Sequence, residues 1–243
     1  MSTVDVHFLP SLTTPEALSG ATLVVIDVLR ATTTITAALA AGAKEVIPCF
    51  EIDEARRIAA ELPPGTSVLG GERGGKRIDG FDLGNSPTEY TPERVAGKSV
   101  VITTTNGTKA LRQCRLAAEV WLGSLTNLGS VVARISAKPT IHVVCAGTDG
   151  HITLEDVVTA GYFVLALNRL GDWTEGDSAI LARVAAESCE NDSARLRSNF
   201  TQSRGGHNLV ELGYDADIDY AMRLDINSVA PRLELKEWRI RSA

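Results

Sequence analysis

The chain has 243 residues, 44% hydrophobic and 22% charged, and 24 Lys plus Arg against 30 Asp plus Glu give it a net charge of −6. An acidic chain without a basic run argues against a nucleic-acid or membrane-surface partner, although a few local arginines can still dominate one pocket. No stretch approaches the roughly 20 uncharged apolar residues of a membrane span, and the first residues, MSTVDVHFLPSLTTPEALSG, lack the layout of a signal peptide, so a cytoplasmic protein is expected.

Apolar, β-branched runs predict strands over residues 4–8, 21–27, 45–49, 67–69, 99–103, 119–122 and 140–145. Helical patterns alternate with them over 32–41, stopped by Gly42, 53–61, stopped by Pro63, and 106–115, 127–137 and 154–170. This alternation predicts an α/β fold, a mostly parallel or mixed sheet layered with helices. From Gly176 onward the pattern is mostly helical and more polar, with a last strand expected at 232–240. The chain reads as one compact unit over residues 1–243, with a weak break near Gly123 as a possible boundary between two lobes.

Three strands run into short loops rich in Thr, Gly or Asn: VVIDVLRATTT, VVITTTNGTKAL and IHVVCAGTDG. Ligands of open α/β sheets sit at the carboxyl ends of the strands, where small residues let N–H groups approach an anion. Three such loops on one sheet edge predict a phosphate cradle. The familiar phosphatase machineries do not fit it. GGERGGKR spaces Gly70, Gly75 and Lys76 like a P-loop but continues with Arg77 rather than Ser or Thr. Cys189 and Arg195 have the spacing of a cysteine phosphatase, but acidic neighbours would raise the thiol pKa. The run DADID, 215–219, lacks the Thr or Val and the preceding strand of an aspartyl-phosphate motif, and reads as a solvated helix start. The cysteines (Cys49, Cys114, Cys145 and Cys189) form no CxxC pair, which leaves neither a structural zinc nor a disulfide framework to expect.

What remains is a set of polar residues at strand ends. Asp27 suits a Mg²⁺ ligand or water-positioning base, or else a helix cap, and Arg30 suits a bidentate oxyanion contact or a surface position. Glu72 and Arg73 lie between glycines, in a solvated turn or beside a ligand. Asn85 and Ser86 precede Pro87, and Asn106, Gly107 and Thr108 form a strand-to-helix junction that caps a helix or faces an anion. Cys145 and Gly147 end the third strand, and Glu155 and Asp156 open the next helix.

DVLRATTT, GERGGKRIDGFDLGNSP, TTTNGTKAL and CAGTDG followed by LED resemble, in order, the signature blocks of the 2-phosphosulfolactate phosphatase family over roughly residues 24 to 156. The resemblance implies an α/β fold of unusual topology, a Mg²⁺-dependent phosphatase activity set in coenzyme M biosynthesis, and a site holding Asp27, Arg30, Glu72, Asn85, Ser86, Asn106, Gly107, Glu155 and Asp156. On this basis Mg²⁺ is expected on Asp27 with Glu155 or Asp156, and catalysis from Asp27, Arg30, Glu72 and Asn106. The substrate is expected to meet Arg73, Asn85, Ser86, Gly107, Thr108, Cys145 and Gly147. Arg30, Arg73, Lys76, Arg77 and Lys109 are then available for a carboxylate and a sulfonate. A homodimer is a further possibility, and a non-catalytic module sensing an anionic phosphorylated metabolite is the alternative to the enzyme.

Overall fold

The computed structural model describes residues 2–243. In chain order the elements are β1 (Ser2–His7), β2 (Thr22–Ile26), α1 (Ala31–Ala40), β3 (Glu45–Cys49), α2 (Ile52–Glu61), β4 (Ser67–Arg73), β5 (Lys76–Arg77) and α3 (Pro92–Val95). Next come β6 (Ser99–Thr103), α4 (Gly107–Gln113), β7 (Glu119–Gly123), α5 (Leu128–Ile135), β8 (Thr140–Cys145), α6 (Leu154–Asn168) and β9 (Trp173–Glu175). The chain closes with α7 (Asp177–Glu187), α8 (Ser193–Gln202), α9 (Arg204–Glu211), α10 (Asp215–Ala221), β10 (Pro231–Glu234) and β11 (Arg239–Ser242). No helix among them is long and apolar enough to cross a membrane.

The strands form one sheet in the order β5-β4-β6-β3-β11-β10-β7-β2-β8-β1-β9. Strands β4, β6 and β3 are mutually parallel, as are β7, β2, β8, β1 and β9. The hairpin β10–β11 joins these two blocks, with β10 antiparallel to β7 and β11 antiparallel to β3. The single strand expected at 232–240 is therefore two. Trp238 takes a left-handed φ of 54° and its N–H bonds to the Glu234 carbonyl, so the chain reverses without the Gly or Asn that would signal a turn.

Alternation along the strands explains the cores. In β2, Val24 and Ile26 pack with Val131, Val158 and Phe163 on one face, while Leu23 and Val25 pack with Ile35, Leu39 and Leu111 on the other. Helix α1 carries four threonines yet is buried along almost its whole length. Its hydroxyls bond to carbonyls: Thr32 to Asp27, Thr33 to Val28, Thr34 to Asn85 and Thr36 to Thr32. Buried polar groups satisfied in this way cost little, and the helix stays locked against the loops that end β2 and precede α3.

The GGER segment is not a loop. Gly70–Arg73 continue β4, and Gly74 and Gly75, at φ 58° and 77°, turn the chain into β5. Gly71 runs so close to β6 that a Cβ would lie 2.1 Å from the Thr103 carbonyl oxygen, so glycine here serves close strand approach.

Candidate active site

A cavity of about 330 Å³ opens at the carboxyl ends of the strands. Asp27, Arg30, Glu72, Asn85 and Asn106 all line it, so all four expected catalytic residues come together. Asp27 follows β2; its Oδ1 accepts from the Ala31 N–H at 3.1 Å, and Oδ2 has no hydrogen-bond partner among the described residues. Glu72 is fully engaged: Oε2 accepts from the Gly75 N–H at 2.8 Å and Oε1 from the Thr105 N–H at 2.7 Å. It thereby fixes the β4–β5 turn against the loop after β6. Asn106 Oδ1 accepts from the Asp149 N–H at 3.3 Å, tying that loop to the one after β8.

Ser86, Gly107, Thr108, Cys145 and Gly147, expected to meet the substrate, do not line this cavity and stand behind it. Gly107 lies so close to Asp27 that a Cβ would stand 2.9 Å from Oδ2. Thr108 bonds back to the Thr104 carbonyl, and Ser86 Oγ donates to Asp217 Oδ1 at 2.6 Å. Gly147, at φ 63°, gives its N–H to Asp156 Oδ2 at 3.0 Å. Cys145 is fully buried, and burial together with Asp156 and Glu155 pushes its thiol well above the ordinary value, which disfavours the thiolate that a nucleophile needs.

Arg73 is not on the cavity wall. Its fork donates to the Glu72 and Phe50 carbonyls and to Thr103 Oγ1. The positive charge expected around one ligand is spread over two neighbouring depressions, one with Lys76 and Arg77 and one with Lys109, Arg112 and Arg115. The cavity itself has Arg30 as its one cationic side chain against Asp27, Glu72, Asp149 and Glu211.

Three carboxyls crowd behind this wall. Burial, then the neighbouring Asp156, pushes the Asp27 carboxyl up; burial and Glu155 do the same to Asp156, and burial dominates at Glu155. Among the described residues no three His, Cys, Asp or Glu side chains converge into a ready-built metal cage. Asp156 shows why, since both its oxygens are taken by the Val28 and Gly147 N–H groups. Other oxygens remain unpartnered though buried: Glu155 Oε2, Asn85 Oδ1 and Thr104 Oγ1. All of these are oxygens, the donor type that a hard divalent cation takes while water and substrate complete its shell.

The structure adds residues that the sequence reading missed. Asp217 is not part of a solvated helix start; it is 2% exposed and pairs with Arg30 Nη1 at 2.7 Å, while its neighbours Asp215 and Asp219 are exposed. From α9 and the residue after it, Gly205, Asn208, Leu209, Glu211 and Leu212 form the outer wall of the cavity. Their only sequence signal is the glycine pair of SRGGHN, and both glycines are required by contact. A Cβ at Gly205 would stand 2.1 Å from Glu155 Oε1, and one at Gly206 would stand 1.8 Å from the Phe200 carbonyl oxygen.

A family model described as 2-phosphosulpholactate phosphatase matches residues 7–236. A protein of Caldanaerobacter subterraneus named as a probable 2-phosphosulfolactate phosphatase is 42% identical over 214 residues, 87% of each chain. Proteins of the same name from Carboxydothermus hydrogenoformans and Gloeobacter violaceus are 38% and 40% identical, covering 93% and 90% of this chain and 93% and 92% of their own.

Proposed function

Because the chain belongs to the 2-phosphosulpholactate phosphatase family, we propose that it hydrolyses 2-phosphosulfolactate, or a closely similar anionic phosphate ester, to sulfolactate and inorganic phosphate with the help of Mg²⁺. The observation that carries the metal dependence is the charge of the cavity wall, four carboxylates against one guanidinium. Such a wall repels a phosphate ester until a divalent cation offsets most of that charge and gives the phosphoryl oxygens a local positive centre.

Asp27 through Oδ2 and Glu155 through Oε2 would hold the ion, with Asp156 securing the loops beneath them. When bound, it supplies positive charge that offsets the phosphoryl oxygens as the ester bond breaks. Phosphoryl transfer otherwise needs position and charge stabilisation rather than a protein nucleophile. Ala31 orients Asp27, Asp217 and Gly75 hold Arg30, and Glu72 fixes the loop of Thr105 and Asn106. Arg30 and Asn85 face the phosphoryl group from the strand side, and Asn208 faces it from α9. Water adds across the P–O bond, its oxygen to phosphorus and a proton to the released hydroxyl.

Phosphate release from 2-phosphosulfolactate, measured with Mg²⁺ and again in excess EDTA, tests the proposal. Turnover that stops on chelation and returns with Mg²⁺ is expected. Undiminished turnover in EDTA removes the metal, and binding of the ester without phosphate release makes the cavity a sensor.

A further inference from the structure

Arg30 is held on three sides. Nη1 donates to Asp217 Oδ2 at 2.7 Å, Nη2 donates to the Gly75 carbonyl at 2.7 Å, and the guanidinium carbon stands 4.4 Å from the centre of the Tyr214 ring. Asp217 is held in turn, because its second oxygen accepts from Ser86 Oγ at 2.6 Å. Both side chains of the ion pair are 3% exposed, yet Arg30 still reaches the cavity wall. A guanidinium has five N–H donors in a rigid fork, so the two bonds to protein leave others to face a ligand.

We infer that Asp217 is a positioning residue for the phosphatase reaction, fixing the Arg30 fork so that its remaining N–H groups meet the oxyanion of the bound ester. The inference rests on the function proposed above and extends it to the helices after residue 176. A long arginine side chain left free in the cavity would sample many rotamers, and its fork would be oriented only at an entropic cost in each turnover. The carboxylate suits the task because its two oxygens take Arg30 and Ser86 at once. The pair also fastens α10 to the β4–β5 turn, and with it the cavity-lining face of α9. A pair with a purely structural role could be exchanged for apolar groups without harm to the fold; a positioning pair would lose activity whatever its stability.

The test is a double-mutant cycle on the full-length enzyme with 2-phosphosulfolactate at saturating Mg²⁺, each variant checked by thermal melting. Arg30→Lys keeps the charge and loses the fork. Asp217→Asn is expected to lower kcat/KM by roughly tenfold or more in the wild-type background and to change little in the Arg30→Lys background, where no fork remains to be aligned. If the two losses multiply, Asp217 does not act through Arg30 and the inference falls while the phosphatase reading stands. If Arg30→Lys turns over like wild type, Arg30 has no part in the reaction and the inference falls as well. If wild type releases no phosphate from the ester, the functional reading falls first. Where Asp217→Asn does not fold, Ser86→Ala takes its place in the same cycle under the same criterion.

Discussion

Asp156 Oδ1 accepts a hydrogen bond from the Val28 N–H at 2.9 Å, across 128 residues of chain. The other oxygen takes the Gly147 N–H, so one carboxylate pins the loops leaving β2 and β8 side by side. Removing it strands two buried donors. Asp156→Ala should therefore lower stability by about 2–4 kcal/mol in urea denaturation, with Asp156→Asn losing less because one acceptor survives. A wild-type urea midpoint for the alanine variant would mean that the loops are held by something else.

Asp27 and Cys145 both end strands beside the cavity, yet only Asp27 presents a polar atom to it. Asp27→Asn should reduce kcat/KM by roughly a hundredfold or more, since the proposed cation would lose a carboxylate ligand. Cys145→Ser should keep most of the activity. Steady-state phosphate release decides between them, and the opposite ranking would make the enzyme a cysteine phosphatase.

Gly107 leaves no room for a methyl group. A Cβ would stand 2.7 Å from that of Ala31 and 2.9 Å from Asp27 Oδ2. Gly107→Ala should displace the carboxylate and lower kcat/KM by roughly 10- to 100-fold, more than any change in melting temperature would account for. Kinetics and a melting curve on the same preparation check this. A fully active alanine variant would place the productive carboxylate oxygen elsewhere.

Glu45 stands at the seam of the sheet, where it takes hydrogen bonds from Ser99 of β6 and from Arg239 and Arg241 of β11. Burial alone would push its carboxyl up; the bonds from Ser99 and Arg241 and the two arginine charges overcome this and hold it below its ordinary value of 4.5. A depressed carboxyl stabilises the fold above the unfolded-state value and loses that contribution as the pH falls through the folded-state value. Glu45→Gln should cost about 1–3 kcal/mol at pH 7, and the gap to wild type should narrow as the pH drops below 4.5. Urea midpoints of both proteins at pH 7 and in the acid range measure it. A gap that widens with acid would reverse the sign.

The buried strands were legible because apolar β-branched runs between turn residues have few alternatives: 45–49, 99–103 and 140–145 lie where periodicity puts them. The strand-end loops were legible for the same reason, and with them the meeting of Asp27 and Asn106 at one cavity. What escaped depended on partners far along the chain. Glu72 and Arg73 look like a solvated turn until Thr105 and Phe50 satisfy them. Asp217 looks like a first-turn helix acid until Arg30, 187 residues away, takes its oxygen. Arg73, Lys76, Arg77 and Lys109 share a sequence neighbourhood with the cavity loops, but Lys76, Arg77 and Lys109 are exposed outside the cavity and Arg73 folds back onto Phe50 and Thr103.

The place of the β10–β11 hairpin has a consequence for how the chain is made. Its two strands follow all the other strands in chain order, and they occupy the middle of the sheet rather than an edge. Until they emerge, β3 and β7 each present an open row of N–H and C=O groups, the condition that invites pairing with another nascent chain. The ion cluster on Glu45 closes across 196 residues, so the gap is sealed only after every other strand of the sheet has been made.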